Sequence, residues 1–170
     1  MKILVLGLGN ELYGDDGVGV HVVRSLKRNL RTKGKNPEWL EKVDFKESSL
    51  SGLALLDVII GYDRLVVIDT IKKENPIPGR IRVLEEKKLR SFPGPSPHYV
   101  SFPQTLEIGK TLGLKVPREI QVIAVEAKNI YHLGEGLSEK MREALPAIVQ
   151  KVTEVLKNKG RKWKKKKYLS

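Results

Sequence analysis

The strongest constraint on this fold lies in its first nineteen residues. An apolar run, Lys2-Ile3-Leu4-Val5-Leu6, leads into Gly7-Leu8-Gly9-Asn10-Glu11-Leu12-Tyr13-Gly14-Asp15-Asp16-Gly17-Val18-Gly19. An amphipathic stretch with helical spacing follows. The order is therefore buried strand, glycine-rich loop, acidic pair, helix. Glycine permits backbone conformations and close approaches that a Cβ forbids. The two aspartates stand where a helix begins, so one of them suits capping or bracing that helix. The other is then free for a ligand or for chemistry.

The rest of the chain repeats the strand and helix pattern. Residues 2–7 read as a buried strand and 17–32 as a helix, with Val18, His21, Val22, Ser25, Leu26 and Leu30 as its inward stripe. Val43-Asp44-Phe45 begins a short second strand, and 53–60 suggests a short helix. Arg64-Leu65-Val66-Val67-Ile68-Asp69 is a second continuous apolar run. Residues 79–84 alternate like a strand with one wet face, and 87–97 are irregular and proline-rich. A helix over 101–112 tolerates Pro103 only in its first turn. Residues 120–125 form a third apolar run. Ser138 is the expected N-cap of a long final helix that Pro146 should kink.

Continuous apolar strands alternating with helices imply a mainly parallel sheet covered on both faces. Ligands of such sheets bind beyond the carboxyl ends of the strands, where strand order reverses. The glycine loop and Asp69 both belong at that rim if their strands are neighbours. The 170 residues are expected to form one domain over 1–156, with 157–170 a basic tail, disordered or a frayed helix. Of the net charge of +12, eight Lys/Arg lie in 157–170 with no acid among them, leaving +4 for the body. The tail suits either solvation or an acidic partner. Cysteine is absent, which excludes disulfides, thiolate metal sites and a cysteine nucleophile. No apolar run is long enough to span a membrane and no secretory signal is evident, so a cytoplasmic protein is expected.

Several familiar chemistries are excluded. Leu12 occupies the third glycine position of a dinucleotide fingerprint, and no acid ends the second strand to take a ribose. There is no Walker A loop, no G-x-S-x-G and no H-E-x-x-H. Asp69-Thr70 is followed by Ile71, which is not the aspartic-protease turn. Three histidines remain. His21 on a helix stripe fits a half-buried structural role, and His132 lies in a wet loop. His98, in Ser96-Pro97-His98-Tyr99, is either a surface residue or a ligand held by its proline neighbour. Asp16, Asp69 and His98 together can make an oxygen, oxygen, nitrogen set for a divalent ion such as Ni²⁺, Zn²⁺, Mn²⁺ or Fe²⁺.

The opening run resembles the N-terminal signature of the nickel–iron hydrogenase maturation proteases, a strand followed by G-x-G-N and then D-D/E-G-x-G. Asp69 at the end of Val66-Val67-Ile68-Asp69, Pro78-Gly79 before the next strand, His98 before a helix and the closing amphipathic helix follow in the same order. The resemblance covers roughly residues 1–156. It implies a three-layer α/β/α sandwich around a twisted, mainly parallel sheet, of the phosphorylase/hydrolase-like kind. It implies an endopeptidase that removes the C-terminal extension of a nickel-loaded hydrogenase large-subunit precursor. The nickel would be recognised by Asp16, Asp69 and His98. It would arrive with the substrate, and no organic cofactor is implied.

Two other readings remain beside it. One is a non-catalytic, metal-dependent hydrogenase assembly chaperone. The other, more remote, is nucleic-acid binding through the lysine-rich tail. The chain departs from the family pattern in two places. Lys46-Glu47-Ser48-Ser49 stands where many members have D-G-G-T/S, and Glu126-Ala127-Lys128-Asn129 stands where many have G-I/V-x-P.

Overall fold

The computed structural model describes residues 1–32, 40–85, 102–128, 130–134 and 136–158. Strand β1 (Ile3–Leu8) leads through a 3-10 turn (Gly14–Gly17) into helix α1 (Val18–Thr32). Strand β2 (Val43–Ser48) is followed by a second 3-10 turn (Gly52–Leu55), which runs into the short helix α2 (Leu56–Ile59). Then come β3 (Arg64–Ile71), β4 (Ile81–Glu85), α3 (Phe102–Thr111), β5 (Glu119–Glu126) and α4 (Glu139–Lys157).

The five strands form one sheet in the order β2-β1-β3-β5-β4. β1 is parallel to β2 and to β3, and β3 is parallel to β5. Only β4, at the edge, runs antiparallel, against β5. The positions follow from composition. Every residue of β1 and β3 is buried, as continuous apolar runs require when helices cover both faces. β2 is an edge strand and continues through Lys46 to Ser48, where polar side chains are tolerated because one edge faces water. In β4 Leu84 is buried and Val83 exposed, so its wet face is not the one that Arg82 marks.

Two apolar layers complete the sandwich. On one face Val5, Val66, Ile68 and Ile123 pack with Val22 and Leu26 of α1 and with Ile148 and Val152 of α4. On the other, Leu4, Leu6, Val67 and Val122 pack with Leu55, Ile59 of α2 and Leu106 of α3. The buried stripe of α1 runs through Val22, Val23 and Leu26, and His21 lies at its margin, half-buried. Pro103 falls in the first turn of α3, where its missing N–H costs nothing. Ser138 caps α4, its hydroxyl accepting from the Met141 amide. Pro146 lies inside that helix. α4 reaches Lys157, and the basic tail from residue 159 lies outside the described residues.

Candidate active site at the carboxyl edge of the central strands

The chain leaves β1 to one side for β2 and returns to the other side of β1 for β3. Strand order therefore reverses between β1 and β3, and the carboxyl ends of these strands are where ligands of such sheets bind. Asp16 lies in the 3-10 turn after β1. Asp69 lies inside β3, paired with Ala124 of β5 and two residues before the strand ends at Ile71. Both carboxylates are buried, Asp16 at 3% exposure and Asp69 at 0%.

One residue joins them. The Thr70 hydroxyl donates to Asp16 Oδ1 at 2.9 Å, and the Thr70 amide donates to Asp69 Oδ1 at 2.7 Å. Asp16 Oδ2 accepts the Asn10 amide at 2.7 Å, which ties the carboxylate back to the glycine loop. The two predicted acids thus share a single donor residue in the central strand. The predicted third ligand, His98, lies outside the described residues. Among the described residues no group of three His, Cys, Asp or Glu is placed to hold a metal ion. Carboxylate oxygens as a class are ligands for hard and borderline cations.

Asp15 corrects the expected local cap. No side chain caps the 3-10 turn, whose N-cap position is Tyr13. Asp15 instead accepts the Ser138 amide at 2.7 Å and the Ser138 hydroxyl at 2.9 Å, so it braces the start of α4, not its own helix. Beside this brace, Gly14 donates to the Gly134 carbonyl and Gly134 donates to the Leu12 carbonyl. The glycine loop and the loop before α4 are therefore held as one unit.

The glycines answer to the chain itself. Gly9 has φ +140°, a region nearly closed to other residues, and a Cβ there would overlap the Asp16 carbonyl oxygen. The loop folds tightly over the turn that carries Asp16, and this internal contact demands glycine without any ligand. His21 Nε2 stands 3.5 Å from Glu11 Oε1, and His132 is exposed, so neither lines the acid pair.

The Lys46-Glu47-Ser48-Ser49 stretch has its own partners. Arg24 of α1 binds Glu11 bidentately at 2.7 and 3.0 Å and reaches Glu47 at 3.0 Å. Lys27 adds a contact to Glu47 at 3.2 Å. Both glutamates push the Arg24 pKa above its ordinary value, the hydrogen bonds to Glu11 most strongly, against the opposing effect of burial. This network links the glycine loop, α1 and the end of β2 where a glycine turn is absent.

Sequence reasoning missed Thr70 as a partner of both acids. The only local sign was a hydroxyl residue directly after a strand acid, and nothing local indicated that Asp16 would lie within its reach.

A mainly parallel sheet covered by helices on both faces, with buried acids at its switch point, defines an α/β sandwich protein, and comparison with known proteins gives the family. The family model of HycI, hydrogenase maturation protease, matches residues 20–155. The chain belongs to the hydrogenase maturation protease family and is accordingly a peptidase. It is similar to the hydrogenase expression/formation protein HupD of Rhizobium leguminosarum bv. viciae, 28% identical over 162 residues, covering 94% of this chain and 76% of that protein. Among solved structures it is similar to the hydrogenase maturating endopeptidase HybD from E. coli. That likeness has TM-score 0.77 and 25% identity, covering 94% of each chain. The [NiFe] hydrogenase maturation protease HybD from Thermococcus kodakarensis superposes with TM-score 0.66 at 27% identity, covering 92% of this chain and 99% of that one.

Proposed function

We propose that this protein removes the C-terminal extension of a nickel-loaded [NiFe] hydrogenase large-subunit precursor in the cytoplasm, and that Asp16, Asp69 and His98 recognise the nickel. The metal is part of the substrate, and the resting enzyme needs no metal or organic cofactor of its own. The observation that carries this reading is the buried pair of carboxylates at the switch point of the sheet, each accepting a hydrogen bond from one strand residue.

Such a pair tests for a cation. A precursor without nickel offers the acids nothing to bind, and its scissile bond is not held. A loaded precursor is fixed through its own metal, with the neighbouring peptide bond fixed beside it. Positioning of this kind can supply roughly 7–11 kcal/mol of barrier reduction. With the bond in place, either carboxylate has the chemistry to take a proton from an attacking water.

The test is to incubate the full chain with its nickel-loaded precursor and follow release of the C-terminal peptide by mass spectrometry. Release is expected from the loaded precursor and not from the nickel-free one. Asp16→Ala, Asp69→Ala and His98→Ala should each abolish it. Stable binding of the loaded precursor with no peptide released would instead identify an assembly chaperone.

A further inference from the structure

We infer that Thr70 is a positioning residue that sets how the acid pair meets its metal. The inference rests on the metal-recognition reading above and extends it to a residue that touches neither metal nor scissile bond. Thr70 is fully buried in β3, and its backbone is paired with Val125 of β5. Its Cβ is branched, so its χ1 is stiff and its hydroxyl has few directions open to it. That hydroxyl donates to Asp16 Oδ1 while its amide donates to Asp69 Oδ1.

Asp16 comes from the turn after β1 and Asp69 from β3. Without a common partner their relative position would depend on a loop. With Thr70 between them, both carboxylates are referred to one rigid point in the central strand. Asp16 is held at its second oxygen by the Asn10 amide, so the plane of its carboxylate is fixed by two donors. Partners of this kind orient ligands, and their loss commonly reduces metal affinity or activity by about 10–100-fold.

Threonine to serine keeps the hydroxyl, and threonine to alanine removes it; both lose the methyl. The difference between T70S and T70A therefore reads the hydroxyl alone. T70V, which keeps the shape, supplies a third variant. The full chain and each variant are titrated with Ni²⁺ alone by calorimetry and assayed for release of the C-terminal peptide from the nickel-loaded precursor. T70A and T70V should bind Ni²⁺ and cut the precursor about 10–100-fold less well than the wild type, with T70S within a few-fold of it.

If T70A equals T70S in both measurements, the inference is overturned and the functional reading stands. If the wild type neither binds Ni²⁺ nor releases peptide, the functional reading falls and takes the inference with it. If resting wild type holds Ni²⁺ too weakly to titrate, the cleavage ratio of T70A to T70S decides alone.

Discussion

Asp15 and Ser138 stand 123 residues apart in sequence and are joined by two hydrogen bonds, one from the Ser138 amide at 2.7 Å and one from its hydroxyl at 2.9 Å. The same serine caps α4 through the Met141 amide. The carboxylate next to the proposed metal ligand Asp16 is thus occupied by the far end of the chain. Adjacent acids have divided the work: Asp16 bonds to the Thr70 hydroxyl and the Asn10 amide, and Asp15 fastens the last helix.

That division separates two substitutions. Asp15→Ala removes both acceptors and leaves the half-buried Ser138 at the start of α4 without them, which should cost about 2–4 kcal/mol, since hydrogen bonds to a charged group contribute about 1.5–3 each and do not add fully. At this chain length each kcal/mol lowers Tm by roughly 2–4 °C. Asp16→Ala should abolish peptide release. Paired thermal melts and cleavage assays check the contrast. Equal loss of stability and activity in both variants would contradict it.

Gly19 gives a prediction in which two effects oppose each other. It is the second residue of α1, where alanine would normally favour the helix by about 1 kcal/mol. A Cβ there would overlap the carbonyl oxygens of Leu8 in β1 and Ile68 in β3. Overpacking of this kind costs about 1–3 kcal/mol or more, and carbonyls locked in a sheet cannot yield cheaply. Gly19→Ala should therefore destabilise despite the gain in helix propensity. Denaturant unfolding gives the sign directly.

The sheet's centre could be read from the sequence because burial on both faces leaves a local mark. β1, β3 and β5 are continuous apolar runs and occupy the three inner positions. Asp69 stood out as the acid closing such a run, although β3 continues two residues past it to Ile71. The cap at Ser138 was likewise local. Pairings between distant segments leave no such mark. Asp15 read as a cap for its own helix because only its neighbours were visible, and its partner lies on the other side of the chain. Thr70 carried no such mark, because it followed the acid expected to end the strand, whereas β3 continues to Ile71. The glycines suggested room for a ligand, whereas Gly9 and Gly19 make room for the backbone itself.

The Arg24 cluster should matter little to stability. Arg24 is about half exposed, and its partners Glu11 and Glu47 are also accessible to water. Such pairs are typically worth about 0.2–1 kcal/mol and weaken as salt screens them. Arg24→Ala should lower stability by no more than about 1 kcal/mol in low salt and by less in 1 M NaCl. Melts at both ionic strengths check this. A large loss independent of salt would show that the network carries more of the fold than its exposure suggests.

Glu126 sets an acid limit on stability. It ends β5 fully buried, accepts the Ile77 amide at 2.9 Å and Arg82 Nε at 3.1 Å, and has Lys73 Nζ at 3.8 Å. Burial alone would raise its carboxyl pKa, but the Ile77 amide, Arg82 and the nearby Lys73 and Arg80 together hold it below the ordinary value of 4.5. The fold therefore favours the ionised form more than the unfolded chain does. Its contribution is fully present above the unfolded value and is lost as pH falls from there through the lower folded value. Glu126→Gln keeps an acceptor for Ile77 but removes the charge, at a cost of roughly 1–3 kcal/mol near neutrality. The difference in unfolding free energy between wild type and E126Q should be flat from pH 8 to about 5 and shrink below about 4.5. Chemical denaturation across that range measures it. A difference that stays constant, or grows, in acid would show that the charge of Glu126 does not stabilise this end of the sheet.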